Sequence, residues 1–347
     1  MASEQQHKIG SGFGAKTTAE EVMAGVDLTG RLAVVTGGYS GIGTETTRAL
    51  AGAGAHVVVP ARRPGTAREA LAGIEGVEVA ELDLGDLVSV AAFAEAFLAS
   101  ERSIDILIDS AAIMASPLMR VGQGWEAQFA TNHLGHFALA NRLWPALAAD
   151  GGARVVSVSS AGHRRSAIRW DDPHFETGPY DKWKAYGQAK TANALFALEL
   201  DRLGADAGVH AFSLHPGGIL TPLQRHLSRE EMVGYGWLDE DGNPKPGVEF
   251  KSTSQGAATS LWCATTAQLD GLGGVYCEDC DVAELVPADS DRMGGVRPYA
   301  ADPDEAARVT GLTAHTLRYY REVANASTPV SSADRVHSRA ASSGSAA

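Results

Sequence analysis

From Arg31 onward the sequence alternates between two kinds of segment, and this rhythm constrains the fold more than any other feature. Short runs rich in Val, Ile and Leu (LAVVTG, HVVVPA, VEVAELD, DILIDSA, ARVVSVSS, VHAFSLHPG) are separated by longer Ala-rich stretches with helical spacing, near 44–52, 66–72, 88–100, 125–144 and 184–203. Near-continuous apolar strands are strands buried on both faces, as in parallel sheets. Strands that alternate with helices imply right-handed crossovers and an α/β, doubly wound sheet, mainly parallel and flanked by helices.

The rest of the chain is organised around that core. Residues 1–26 are mixed and Gly-containing, with one short helical candidate at 20–26, and read as an arm laid on the domain. Residues 27–324 form the single domain. Residues 325–347 are small and polar, cannot bury a core, and read as a disordered tail. Two segments break the rhythm, between Ser160 and Tyr186 and between Thr221 and about Thr253; each follows a strand, where ligands of open α/β sheets sit. The net charge of −13 argues against nucleic-acid and anionic-membrane partners. Three cysteines in 347 residues are too few for a disulfide framework. No apolar run reaches a membrane span, and the start MASEQQHKIG has no apolar h-region, so a cytoplasmic protein is the expectation.

The first strand runs into Gly37-Gly38-Tyr39-Ser40-Gly41-Ile42-Gly43, followed by a helix. Glycines here permit a tight turn, let a diphosphate approach the backbone, and let helix and strand pack closely. The helix N-terminus then offers free N–H groups to the anion. An isolated glycine pattern can be an ordinary turn, but this one opens the first βα unit, as the Rossmann-like reading requires. About twenty residues on, where an acid would bind the ribose of NAD, the chain has Ala61-Arg62-Arg63. Arg62 there favours a 2′-phosphate, hence NADP(H) over NAD(H). At the end of the third strand, Asp83 is placed either to accept from the adenine amino group or to cap the following helix.

Tyr186 and Lys190 stand four apart on a predicted helix and so share one face. A free phenol has a pKa of about 10, and a neighbouring ammonium favours the phenolate. Tyr186 is therefore a candidate for the proton transfer that accompanies hydride transfer. Ser159 and Ser160 end the fifth strand, where a hydroxyl can steady a substrate oxygen. Asn132 sits inside the 125–144 helix, although Asn is a poor interior residue; it is placed either to hold a water linking Lys190 to solvent or to make a local side-chain-to-backbone bond.

Together the motifs TGGYSGIG, Asp83-Leu84, ATNHLGHF, VVSVSS, YGQAK and HPGGILT resemble, in order, those of the short-chain dehydrogenase/reductase family, over about residues 27–303. Within it, Arg62, the phrase NHLGHF and the segment WDDPHFETGPYDKWKAY are most similar to the retinol-dehydrogenase and WW-domain-oxidoreductase branch. The resemblance implies an oxidoreductase with Asn132, Ser160, Tyr186 and Lys190 as its catalytic tetrad. It implies cofactor contacts from Gly37, Tyr39, Ser40, Gly41, Ile42, Gly43, Arg62, Asp83, Leu84, Ser110, Ala111, Ala112, Tyr186, Lys190, Pro216, Gly217, Ile219 and Thr221. It also implies a small-molecule carbonyl or alcohol substrate and, as is common in the family, a homo-oligomer. Two departures stand out: Asp109-Ser110-Ala111-Ala112 replaces the family's Asn-Asn-Ala-Gly, and Tyr39 fills a position that is usually small or polar.

Trp170, Phe175, Trp183, Tyr235 and Trp237 lie in the two irregular segments and point to an apolar pocket for hydrophobic aldehydes, ketones or alcohols. Cys277 and Cys280 have Cys-x-x-Cys spacing but no second pair and no nearby His, so no metal is expected. His133 and His136 read as packed or hydrogen-bonded. Residues 306–323 resemble the first helix-turn-helix of a MerR-type DNA-binding domain, without a wing and in an acidic chain. A catalytically silent dinucleotide sensor or scaffold is the alternative class.

Overall fold

A computed structural model describes residues 5–314. The apolar runs become strands β1 (Leu32–Thr36), β2 (His56–Ala61), β3 (Val77–Glu81), β4 (Ile106–Asp109), β5 (Arg154–Val158), β6 (His210–His215), β7 (Tyr276–Glu278) and β8 (Asp281–Val282). They form one sheet in the order β8-β7-β6-β5-β4-β1-β2-β3, parallel throughout except for β8, which returns antiparallel to β7. The order reverses between β1 and β4, so a crevice opens at the carboxyl ends of these neighbours, the topological switch point of a doubly wound sheet. The Cys-x-x-Cys segment is the hairpin turn between β7 and β8; its central residues Asp279 and Cys280 have φ of 53° and 56°, the left-handed values such turns demand.

Helices cover both faces. On one side α1 (Ala19–Val22), α2 (Ile42–Gly52) and α9 (Thr253–Thr265) bury Val22, Leu50, Leu261 and Trp262 against Val35, Val57, Ile108 and Phe212. On the other side lie α4 (Leu87–Leu98), α5 (127–142) and α7 (Lys182–Gly204). The short helices α3 (Pro64–Ala70), α6 (Trp144–Leu147) and α8 (Arg229–Gly234) complete the set. No described helix is long and apolar enough to cross a membrane.

The expected continuous helix over 125–144 is not one helix. Trp125–Glu126 pairs with Arg120–Val121 in a small hairpin, and the Glu126 carboxylate accepts from the N–H groups of Gln128 and Phe129, which starts the helix at Ala127. The helix then widens into a π turn, Ala130–Leu134, and resumes as Gly135–Arg142. These three pieces are α5.

The N-terminal arm is fixed at several points: Val22 of α1 is buried in the core, Asp281 accepts from the N–H groups of Ile9 and Gly10, and the buried Gln6 side chain reaches β7. Gln6 donates to the carbonyls of Tyr276 and Ala283 and accepts from the Tyr276 N–H at 2.9 Å, tying it to β7. Residues as far as Thr310 form one compact unit, and Gly311 opens a second, of which only 311–314 are described. Residues 303–314 are helical. The rest of the MerR-like segment, the 324/325 boundary and the tail lie outside the described residues.

Candidate active site

A cavity of about 770 Å³ occupies the crevice. Of the eighteen cofactor contacts implied by the resemblance, all but Gly43 line it. Gly43 serves from behind: a Cβ there would lie 2.2 Å from the Gly37 carbonyl oxygen, so the first turn of α2 can pack under the loop only without one. Gly37 has φ of 67°, and a Cβ on it would meet the Ala111 backbone at 2.9 Å. Side-chain oxygens cap α1, α4, α7, α8 and α9, but none caps α2, whose first residue Ile42 faces the cavity. A glycine cradle joined to an uncapped helix N-terminus fits a diphosphate.

At the far end of the cradle stand Arg62 and Arg63. A third guanidinium, Arg225, comes from the short 3-10 helix Pro222–His226 that follows Thr221. Burial lowers the Arg225 pKa, and the charges of Arg62 and Arg63 lower it further. Sequence reasoning missed Arg225, because a lone arginine in a loop carries no signal until the loop folds over the second strand. Asp83 lines the cavity and accepts from the Gly85 N–H at 2.9 Å; the cap of α4 is Asp86, so the capping alternative for Asp83 falls away.

The other end holds the phenol and the amine. Both sit in the first turns of α7, which Asp181 caps by accepting from the N–H groups of Trp183 and Lys184. Tyr186 and Lys190 are 3% and 2% exposed, and Lys190 Nζ lies 5.7 Å from the centroid of the Tyr186 ring. Lys190 donates to the Val158 carbonyl at 2.8 Å. Burial pushes the Tyr186 pKa up to about 12, partly offset by a hydrogen bond with Ser160. Burial pulls Lys190 down to about 7, opposed by the charge of Asp109. The two serines separate cleanly. Ser159 donates to the Lys190 carbonyl at 2.6 Å, whereas Ser160 turns toward Tyr186 and accepts from the Gly162 N–H at 3.0 Å.

Asn132 does not line the cavity. Its side chain accepts from the Ile113 N–H and donates to the Ile113 carbonyl, both at 2.9 Å, and so pins the segment after β4 to the π turn. Its own carbonyl pairs with His136 Nδ1, while His136 Nε2 pairs with the Thr36 hydroxyl. His133 packs among Phe129, Phe137 and Phe196. Trp183, Tyr235 and Trp237 line the cavity as expected; Trp170 and Phe175 do not. Trp170 stacks under Arg308 and donates to Glu305, and Phe175 packs on Tyr180 and Arg169.

A doubly wound sheet with a glycine cradle at one end of its crevice and a buried phenol–amine pair at the other is the architecture of a nicotinamide-dependent oxidoreductase. The sequence matches the short chain dehydrogenase family over residues 31–232, and the chain belongs to the short-chain dehydrogenase/reductase family, whose members act on CH–OH and C=O groups. It is 47% identical over 298 residues to an oxidoreductase-named protein of Streptomyces lividans, covering 84% of this chain and 99% of that one. It is 39% identical over 261 residues to retinol dehydrogenase 12 of Mus musculus, covering 74% and 79%. Its fold matches the crystal structure of an uncharacterised protein of Mycobacterium paratuberculosis with a TM-score of 0.64 and 30% identity, over 86% of this chain and 97% of that one.

Proposed function

We propose that this enzyme transfers hydride between NADP(H) and the carbonyl carbon of a predominantly apolar small molecule, with Tyr186 as general acid and base. The observation that carries the reading is the buried Tyr186–Lys190 pair beside Ser160 at one end of a cavity whose other end gathers three guanidiniums. The cradle of Gly37–Gly43 and the N-terminus of α2 would hold the diphosphate. Arg62, with Arg63 and Arg225, would hold the 2′-phosphate. Asp83, Leu84, Ser110, Ala111 and Ala112 would flank the adenosine, and Pro216, Gly217, Ile219 and Thr221 the nicotinamide.

A bound dinucleotide supplies the hydride for reduction and accepts it in oxidation. The Tyr186 hydroxyl gives its proton to the carbonyl oxygen as the carbon gains the hydride, and Ser160 donates a hydrogen bond to that oxygen. A phenol whose pKa burial raises to about 12 is protonated at neutral pH, the state reduction needs. The Lys190 ammonium, whose share falls as pH rises past about 7, then stabilises the phenolate until a proton returns. Asn132 is a positioning residue, fixing Ile113 and the wall after β4. Tyr186→Phe keeps the ring and removes the proton. Turnover of NADPH with a carbonyl panel is expected to fall by roughly 10²–10⁴-fold, with NADPH affinity by fluorescence titration unchanged. A variant that retains substantial activity refutes the assignment.

A further inference from the structure

The cavity is lined by six cations, Arg62, Arg63, Arg164, Arg165, Lys190 and Arg225, and by two carboxylates, Asp83 and Glu249. The proposed cofactor accounts for Arg62, Arg63, Arg225 and Lys190. Arg164 and Arg165 lie at the opposite end, and nothing in hydride transfer requires them.

Both belong to the 3-10 helix Ala161–Arg165, which leaves Ser160 directly against Tyr186. A Cβ on Gly162 would come within 2.6 Å of Cε1 of the Tyr186 ring, and one on Gly187 within 2.9 Å of Arg165 Cβ. The two arginines therefore start beside the reacting phenol. Arg164 is held in place without a counter-ion: Nε donates to the Ala161 carbonyl at 3.0 Å, Nη1 to the Arg292 carbonyl at 3.1 Å, and both Nη atoms lie 3.3–3.4 Å from Met293 Sδ. Burial and the charges of Arg297 and Arg165 all disfavour its cationic form. Asp83 and Glu249 make no ion pair with Arg164, and the carboxylates of the β7–β8 hairpin and the segment after it have other partners: Asp279 pairs with Lys251, Glu284 with Arg292, and Glu278 accepts from the Gly295 N–H. Arg165 carries no ion pair among the described residues. A half-buried guanidinium such as that of Arg164 is costly without an anion, and carboxylate and phosphate are the anions its planar fork fits.

Another wall of the same end is apolar. Met114 and Leu227 pack around Tyr186 with Trp183, Leu223, Met232 and Trp237, and the Trp183 indole N–H is spent on the Tyr235 hydroxyl at 2.8 Å. We infer that the substrate is amphipathic: a keto acid, or the corresponding hydroxy acid, whose apolar body lies on the Trp183–Trp237 wall and whose carboxylate is bound by Arg164 and Arg165. This rests on Tyr186 being the reacting acid and adds the substrate's charge. The carboxylate takes no part in the chemistry; it sets which carbonyl reaches Tyr186.

The test is NADPH oxidation with 4-oxo-4-phenylbutanoate, 5-oxo-5-phenylpentanoate and 6-oxo-6-phenylhexanoate, each beside its methyl ester. At least one acid is expected to exceed its ester in kcat/KM by about tenfold or more. Arg164→Gln and Arg165→Gln are each expected to lower that acid's value by about tenfold and leave the ester within about twofold. Arg165 is exposed, so its variant should fold normally; an unchanged melting temperature checks this for both. Esters that match their acids in every pair, or variants that slow acid and ester alike, overturn the inference while leaving Tyr186 in place. Activity toward the esters that survives Tyr186→Phe sinks the underlying reading instead.

Discussion

Among the described residues, Asp109 carries a buried carboxyl with no hydrogen-bond partner on either oxygen. It ends β4 between Thr36 and Ser157. The titratable groups facing it are Lys190, from α7, and His136 of α5, whose Nε2 lies 3.9 Å away and which burial keeps neutral, its pKa lowered to about 4. Burial raises its pKa well above the ordinary 3.8, and the attraction of Lys190 only partly opposes this. The native state thus holds the proton more tightly than the unfolded chain does. That contribution to stability is complete below the unfolded value and is lost as pH rises toward the folded one. Asp109→Asn removes the titration. The variant is expected to be more stable than the wild type by about 1–3 kcal/mol near pH 8, an advantage that shrinks toward about pH 4. Thermal melts at both pH values check it; a less stable variant near pH 8 contradicts it. The sequence marked this position as a departure from Asn, but only the fold shows that the carboxyl has no solvent and no donor.

At the scale of elements, legibility followed periodicity. Every strand from β1 to β6 could be placed, because buried parallel strands are continuous in Val, Ile and Leu, and so could the helices between them except over 125–144, which begins as a hairpin strand and closes with the separate α6. The π turn in α5 could not, since an apolar 3.6-residue pattern does not register one extra residue in a turn. Nor could the side on which Trp170 and Phe175 fall, because irregular segments have no period. The same limit hid Arg225, which owes its place to the turn after Thr221. If Arg225 binds the 2′-phosphate with Arg62, then Arg225→Gln should raise the KM for NADPH about tenfold or more, the size of a lost charge-assisted contact, and leave that for NADH unchanged. Steady-state kinetics with both coenzymes decide the matter. An equal effect on both would place Arg225 outside the phosphate site.

The whole molecule is acidic, yet its crevice is lined by cations in a ratio of six to two. Focusing positive potential into a cleft while the outer surface stays negative suits an anionic cofactor and, by the inference above, an anionic substrate. The class of fold, the glycine cradle and the phenol–amine pair were readable because each is fixed by spacing along one chain segment. Beyond Arg62, the charge of the pocket was not, because it is assembled from the turns after β2, β5 and β6 and from α7. The most direct test of the account is a crystal structure with NADPH and an unreactive substrate analogue. The account predicts the diphosphate on residues 37–43, the 2′-phosphate against Arg62, and the analogue's oxygen in hydrogen-bond reach of both Tyr186 Oη and Ser160 Oγ. A dinucleotide seated elsewhere, or an analogue whose oxygen lies beyond the reach of Tyr186, would contradict it.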